Sequence, residues 1–255
     1  MGGILLAFQF LTRIPLPHRT AVDTSHLGAA SAWFPLVGLF IGELLAAGNY
    51  LLSGVFSPPV VAALLLALAT AVTGGLHLDG LMDTADGLLG SRDPARSLAI
   101  MRDSRVGAMG VLAAVLILLL KWTLLVSWIE QPFNGSHSAF LLMPTLGRWS
   151  MVYALYGYPY ARKEGGLGRP FSQGVKLRHL LLATLITLLV SWFWGKTSGL
   201  IVMLGVGAAA VLVAHSIARR IGGLTGDVYG AINEVSETIA LLLLLGLRGD
   251  PGYQV

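Results

Sequence analysis

The sequence predicts an all-α fold: a polytopic membrane helical bundle of about seven transmembrane helices, with a short interfacial helix at the N-terminus. Three observations predict it. Hydrophobic residues make up 55% of the 255 positions and charged residues only 12%, whereas soluble domains are about a quarter charged. Apolar runs repeatedly approach the ~20 residues that cross a bilayer. Basic residues collect in alternate connections, the pattern that membrane topology produces. The whole of 1–255 reads as one integral-membrane helical domain.

The opening segment, MGGILLAFQFLTRIPLP, is a poor signal peptide. Its positive charge, Arg13, follows the apolar stretch, and no small-residue cleavage site comes after it. Too short to span, it reads as an interfacial or re-entrant helix stopped by Pro15 and Pro17. Spans are then predicted at 33–52, 59–76, 106–128, 138–158, 179–194, 198–217 and 228–247. One set of connections holds Arg13, Arg19, Arg92, Arg96, Arg102, Arg105, Arg162, Lys163, Arg169, Lys176, Arg178, Arg219 and Arg220. The opposite set offers only Lys196 and Arg248. By the positive-inside rule the first set is cytoplasmic, with the N-terminus inside and the C-terminus outside.

Composition also excludes. The chain has no cysteine, which rules out disulfides, thiolate metal sites and a Cys nucleophile. Its pI of about 9.6 is explained by topology, and no aromatic-basic interleaving supports nucleic acid. No internal repeat points to an inverted-repeat transporter. Gly38 with Gly42, and Gly205 with Gly207, read as helix-packing residues without chemistry. Glycine-rich helix faces make a homodimer a reasonable expectation.

The stretch LHLDGLMDTADGLLGSRD carries the chemistry. It follows PPVVAALLLALATAVTGG with no loop-like break, so the carboxylates are expected to cap a membrane helix. The chain has 13 acidic residues, yet Asp79, Asp83 and Asp86 fall within eight positions. At i, i+4, i+7 they share a ~60° arc of a helix. At the bilayer centre such a trio would cost about 8–10 kcal/mol, and like charges on one face repel. A solvated helix end would explain one Asp, but three on a leucine-lined stripe point to a divalent cation. Hard oxygen ligands suit Mg²⁺, which is held by a few carboxylates plus substrate phosphates.

Arg102 and Arg105 follow in SRDPARSLAIMRDSRVGAMG, one helical turn apart, as a phosphate clamp needs. Carboxylates for a metal beside arginines for an anion is the arrangement of phosphoryl transfer. A second cluster, Asp227, Glu234 and Glu237, opens the last span. Helix-dipole stabilisation explains Asp227; Glu237, deeper in apolar sequence, is a functional candidate. Arg148 lies in mid-span and is expected to face the polar site or to pair with an acid such as Glu43. Lys121 is expected to snorkel or to pair structurally. His77 falls on the face opposite the three aspartates and reads as interfacial.

FLTRIPLP, WFPLVGLFIG, GGLHLDGLMDTADGLLGSRD, MRDSRVGAMG, LGRW and IGGLTGDVYGAINEVSE occur in this order. Together they resemble the bacterial cobalamin-5′-phosphate synthase family, also called adenosylcobinamide-GDP ribazoletransferases. The resemblance covers nearly the whole chain. It implies a Mg²⁺-dependent enzyme of the bacterial inner membrane that joins adenosylcobinamide-GDP to α-ribazole or its 5′-phosphate, releasing GMP. It further implies that Asp79, Asp83 and Asp86 hold the metal, that Asp86 or Glu234 takes the hydroxyl proton, and that Arg102 and Arg105 hold the leaving phosphate. Asp103, Arg148, Asp227, Glu237 and His77 complete the candidate substrate-binding set. Two other readings remain open: a CDP-alcohol-phosphotransferase-like enzyme, whose Asp-Gly-x-x-Ala-Arg segment is missing here, and a divalent-cation transporter, which would need polar residues continuing to the far side. A non-catalytic binding scaffold would leave the carboxylate stripe unexplained.

Overall fold

The computed structural model describes residues 2–15, 27–131, 133–162, 165 and 168–247. Arg19, Lys163 and Arg248 of the predicted charge pattern, and Pro17 of the predicted helix stop, lie outside these residues. The described residues form helices joined by short turns: α1 Gly3–Leu11, α2 Leu27–Ala30, α3 Phe34–Leu52, α4 Pro58–Thr73, α5 Leu76–Gly90 and α6 Pro94–Ile100 come first. Then follow α7 Ala108–Ile129, α8 Phe133–Gly157, α9 Arg169–Gly174, α10 Leu177–Ile221 and α11 Gly226–Leu247. The predicted all-α membrane bundle is the fold observed.

Among the described residues four helical segments are long and apolar enough to cross a membrane, namely Leu27–Leu52, Ala108–Ile129, Leu177–Ile221 and Gly226–Leu247. Pro58–Thr73 with Leu76–Gly90 makes a fifth if the bent pair is one span. The seven spans of the sequence reading count α8, which is more polar, and divide α10 in two. α10 does fold at Lys196, a non-glycine residue at φ 48°. A Cβ on Gly199 would run into the carbonyl oxygen of Ser191, although these residues would stand about 12 Å apart along a straight helix. Both arms reach Trp149 of α8, which donates to Thr184 at 3.0 Å and packs its ring against Gly207.

α1 ends at Leu11, before the expected proline stop, because Thr12 is extended and its amide and hydroxyl both turn back to the carbonyl of Phe8. The next residue docks: the Arg13 amide donates to the Val72 carbonyl at 2.7 Å. Gly38 and Gly42 press the α3 backbone against α8; a Cβ on Gly42 would lie 2.7 Å from the Cα of Leu141. Buried side chains from α1, α3, α4, α7, α8, α10 and α11 form a connected apolar core.

The expectation of an unbroken helix from the second apolar run into the carboxylate stripe is overturned. Gly74 and Gly75 take φ 66° and 70°, a left-handed conformation that glycine adopts without steric cost. The chain turns by 90° there. The aspartates therefore sit on a separate helix, at 90° to α4. Its far end is pinned by Arg220, whose guanidinium donates to the carbonyls of Leu88 and, at 2.7 Å, Ser91. Beyond it, Asp93 caps α6 by accepting from the Arg96 amide at 2.7 Å.

Candidate active site

α5 meets α11 backbone to backbone. A Cβ on Gly80 would lie 2.6 Å from the carbonyl oxygen of Asp227, and one on Gly230 would lie 3.0 Å from that of His77. Glycine at both positions lets Asp79 come alongside Asp227 in the first turn of α11. Asp227 is held by Arg162 at 2.5 Å and by Thr225 at 3.2 Å, while the Thr225 hydroxyl also accepts from the Val228 amide at 3.3 Å. Arg162 is aimed by a small bridge: Leu224 donates to Pro159 at 2.9 Å, and Ala161 donates to Leu224 at 2.8 Å.

These groups border a cavity of about 490 Å³. Asp79, Asp227, Arg102, Arg162 and His77 lie on its wall, with the backbone of Gly80, Gly226 and Gly230 between them. Asp83 is within electrostatic reach of Asp79, Asp227 and Arg162. Elsewhere the wall is apolar: Phe171 packs on Phe10 and Phe34 at ring-centroid distances of 4.3 and 5.6 Å. One cavity thus offers carboxylates, guanidiniums, open backbone and a flat apolar surface.

Among the described residues no three His, Asp or Glu side chains converge tightly enough to hold a metal by themselves. The donors still suit Mg²⁺. Asp79 and Asp227 present hard oxygens on the cavity wall with Asp83 in electrostatic reach of both, and Mg²⁺ ordinarily takes one or two carboxylates, waters and the oxygens of a phosphate substrate. Asp79, Asp83 and Asp227 would hold a cation that arrives with its phosphates.

Asp86 does not join them. Its two oxygens accept from the amides of Gly107 and Gly110, each at 2.7 Å. A carboxylate there satisfies otherwise unpaired N–H groups and the positive end of the α7 dipole. The cause of this correction is tertiary: α7 returns to α5 and takes up the third member of the stripe.

The arginine clamp also changes. Residues 101–107 are turn and extended chain, not helix, so Arg102 and Arg105 share no helical face. Arg102 lines the cavity. Arg105, its side chain 88% exposed, closes on Asp103 at 2.7 Å. Its side-chain hydrogen bonds, and then its backbone amide, hold the Asp103 carboxyl down at about 2. These two residues engage each other instead of the cavity.

The deeper acids meet deeper cations. Lys121 lies 2.6 Å from Glu234 and 2.5 Å from Glu237. Arg148 pairs with the other oxygen of Glu237, which also accepts from Asn233 at 3.1 Å. Arg148 therefore faces a polar cluster as expected, but its acid is Glu237; Glu43 instead meets His137 at 3.3 Å. Glu234 and Lys121 border a separate cavity of about 40 Å³, away from Asp79. His77, on the face of α5 away from the aspartates, is buried and meets Arg148 at 3.3 Å.

One residue of this geometry, Arg162, is not singled out by its sequence context, whereas Lys121 is expected to snorkel or to pair structurally. Arg162 reads as one more positive-inside charge, although its place just past the 138–158 segment puts it beside the other polar groups. For Lys121 the structure shows the pairing.

Comparison with known proteins gives one family. The chain matches the family described as Cobalamin-5-phosphate synthase over residues 3–245. It is 42% identical over 247 residues to the Adenosylcobinamide-GDP ribazoletransferase of Desulforamulus reducens, covering 96% of this chain and 97% of that one. It is 41% identical over 248 residues to the protein of the same name from Desulfitobacterium hafniense, covering 96% of each. To the one from Syntrophobacter fumaroxidans it is 40% identical over 240 residues, covering 94% of this chain and 95% of that one. No solved structure matches.

Proposed function

The chain belongs to the cobalamin-5-phosphate synthase family, and we propose that it is an adenosylcobinamide-GDP ribazoletransferase that uses the cavity at the α5–α11 crossing. A ribose hydroxyl oxygen of α-ribazole, or of its 5′-phosphate, bonds to the cobinamide-side phosphorus of adenosylcobinamide-GDP. The bond from that phosphorus to the bridging oxygen breaks, and GMP leaves with the bridging oxygen. The observation that carries this reading is the meeting of Asp79 and Asp227 with Arg102 and Arg162 on one cavity wall.

Each group has work that follows from its position. Arg102 and Arg162 hold the pyrophosphate oxygens, and Arg162 also fixes Asp227. Asp79, Asp83 and Asp227 would hold Mg²⁺, which when bound neutralises charge on the phosphates. The hydroxyl proton passes to a carboxylate of this set, because Asp86 turns to the α7 amides and Glu234 borders the separate cavity with Lys121. The apolar wall of Phe10, Phe34 and Phe171 excludes water and receives a flat ring. Arg102 and Arg162 lie on the cavity wall and belong to the connections that the positive-inside rule assigns to the cytoplasm, so the cavity would face the cytoplasm of a bacterial inner membrane.

The test is GMP release by purified protein in nanodiscs, supplied with adenosylcobinamide-GDP and α-ribazole, with Mg²⁺ or with EDTA. Release that needs Mg²⁺ and falls at least about a hundredfold in Asp83→Asn is the expected result. Folded wild-type protein that releases no GMP, or an Asp83→Asn variant with unchanged turnover and metal dependence, refutes it.

A further inference from the structure

A chain of buried charges inside the bundle remains outside the chemistry proposed so far. Lys121 of α7 engages Glu234 and Glu237 of α11; Glu237 accepts from Arg148 of α8; and Arg148 reaches His77 of α5 with its second terminal nitrogen. Two cations face two carboxylates, so the formal charges cancel, which makes the cluster tolerable away from water. Four helices are tied together by it.

His77 differs from the other members. It is 2% exposed, it lies on the wall of the substrate cavity, and its Nε2 has no hydrogen-bond partner. Its Nδ1 faces a terminal nitrogen of Arg148 at 3.3 Å. A guanidinium has five donors and no acceptor. Nδ1 must therefore accept, and a neutral ring that accepts at Nδ1 carries its hydrogen on Nε2. Buried N–H groups are nearly always paired, and no described protein group pairs with this one. Mere packing would use the ring but would not require a buried donor left over at the cavity wall. Two neighbours on the same wall share the condition: Tyr160 Oη and Arg162 Nε are also buried without a partner.

We infer that His77 is a hydrogen-bond donor, through Nε2–H, to an oxygen of the substrate phosphate, and that Arg148, Glu237 and Lys121 are positioning residues that fix its tautomer and orientation. The identity of that phosphate rests on the transferase reading. A fixed donor aimed at an oxygen that gains charge during transfer stabilises the transition state more than the bound substrate. Its loss accordingly reads out in kcat more than in KM.

The experiment uses the full chain in nanodiscs and two independent readouts. In ¹⁵N-histidine-labelled protein at fixed pH, the His77 signals are those that vanish in His77→Gln. They are expected to report the neutral Nε2–H tautomer, and the Nε2 signal is expected to move when inorganic pyrophosphate with Mg²⁺ is added. In the GMP-release assay, His77→Leu is expected to lower kcat about a hundredfold, with KM changed far less. His77→Gln, whose amide nitrogen also donates, recovers a substantial part of that loss. An Nδ1–H tautomer, a charged ring, a pyrophosphate-insensitive signal, or turnover in His77→Leu equal to wild type overturns the inference. If wild-type protein releases no GMP, the transferase reading falls, and the tautomer and the pyrophosphate response still decide the role of His77.

Discussion

Lys121 and Glu237, 116 positions apart in sequence, meet at 2.5 Å in the interior of the bundle, and the same ammonium holds Glu234 at 2.6 Å. Removing one partner of a buried pair strands charge, which costs about 3–5 kcal/mol. Lys121→Met, which leaves two carboxylates facing one guanidinium, is expected to lose that much. A lower thermal unfolding midpoint in detergent would record it. Lys121→Met combined with Glu234→Gln rebalances the cluster and is expected to regain more than half of the loss; no recovery would mean that charge balance is not what Lys121 provides.

Asp86 is expected to behave as a helix cap and not as a metal ligand. Asp86→Ala leaves the Gly107 and Gly110 amides without their acceptor, a loss of about 0.5–2 kcal/mol. The Mg²⁺ concentration at half-maximal turnover should stay where it is in wild type. In Asp79→Asn and Asp83→Asn it should rise, and titrating all three with Mg²⁺ separates the two roles.

The α5–α11 crossing tolerates no side chain at Gly80, where a Cβ would lie 2.6 Å from a backbone oxygen. Gly80→Ala is expected to cost about 1–3 kcal/mol and to reduce turnover by moving Asp79 away from Asp227. Gly246→Ala, in the partner helix α11 with open space around it, is the control. It should stabilise by up to about 1 kcal/mol.

The two arginines of the former clamp should separate kinetically. Losing a charge-assisted hydrogen bond costs about 1.5–3 kcal/mol, so Arg102→Ala and Arg162→Ala should raise KM for adenosylcobinamide-GDP about tenfold or more. Arg105→Ala should leave KM nearly unchanged, since Arg105 is engaged with Asp103. Equal effects at Arg102 and Arg105 would restore the clamp.

The Asp103–Arg105 clasp also has a pH signature. Arg105 lowers the Asp103 carboxyl to about 2, below the unfolded value of about 3.9. A depressed carboxyl contributes fully above the unfolded value and is lost as pH falls through about 2. Asp103 should therefore stay ionised through the pH range of any activity assay. The acid limb of the rate profile should be identical in Asp103→Asn, and a shifted limb would contradict the assignment.

Much of the fold was legible in linear sequence. Each of the seven apolar segments coincides with helix to within a few residues, because the free energy of burying a run of apolar side chains in lipid is a local sum. The proximity of Asp79 and Asp83 was legible too, because four residues on a helix make one turn. The break at Gly74–Gly75 was missed although both glycines were in view. Two glycines can continue a helix or leave it, and packing of α5 across α11 decides between these.

Sequence by itself determined the class of this protein, the helical segments and the short list of carboxylates and arginines from which a phosphate site can be built. Only the tertiary structure decided the partners: Asp86 to the α7 amides, Arg105 to Asp103, Arg162 to Asp227, and Lys121 with Arg148 to the acids of α11. The physical reason is range. Helix formation and membrane insertion depend on neighbours within a turn or a span, whereas a buried charge must find its counter-charge wherever the packed helices bring one. For the buried charges of Lys121 and Arg148 that partner lies from 89 to 116 residues away.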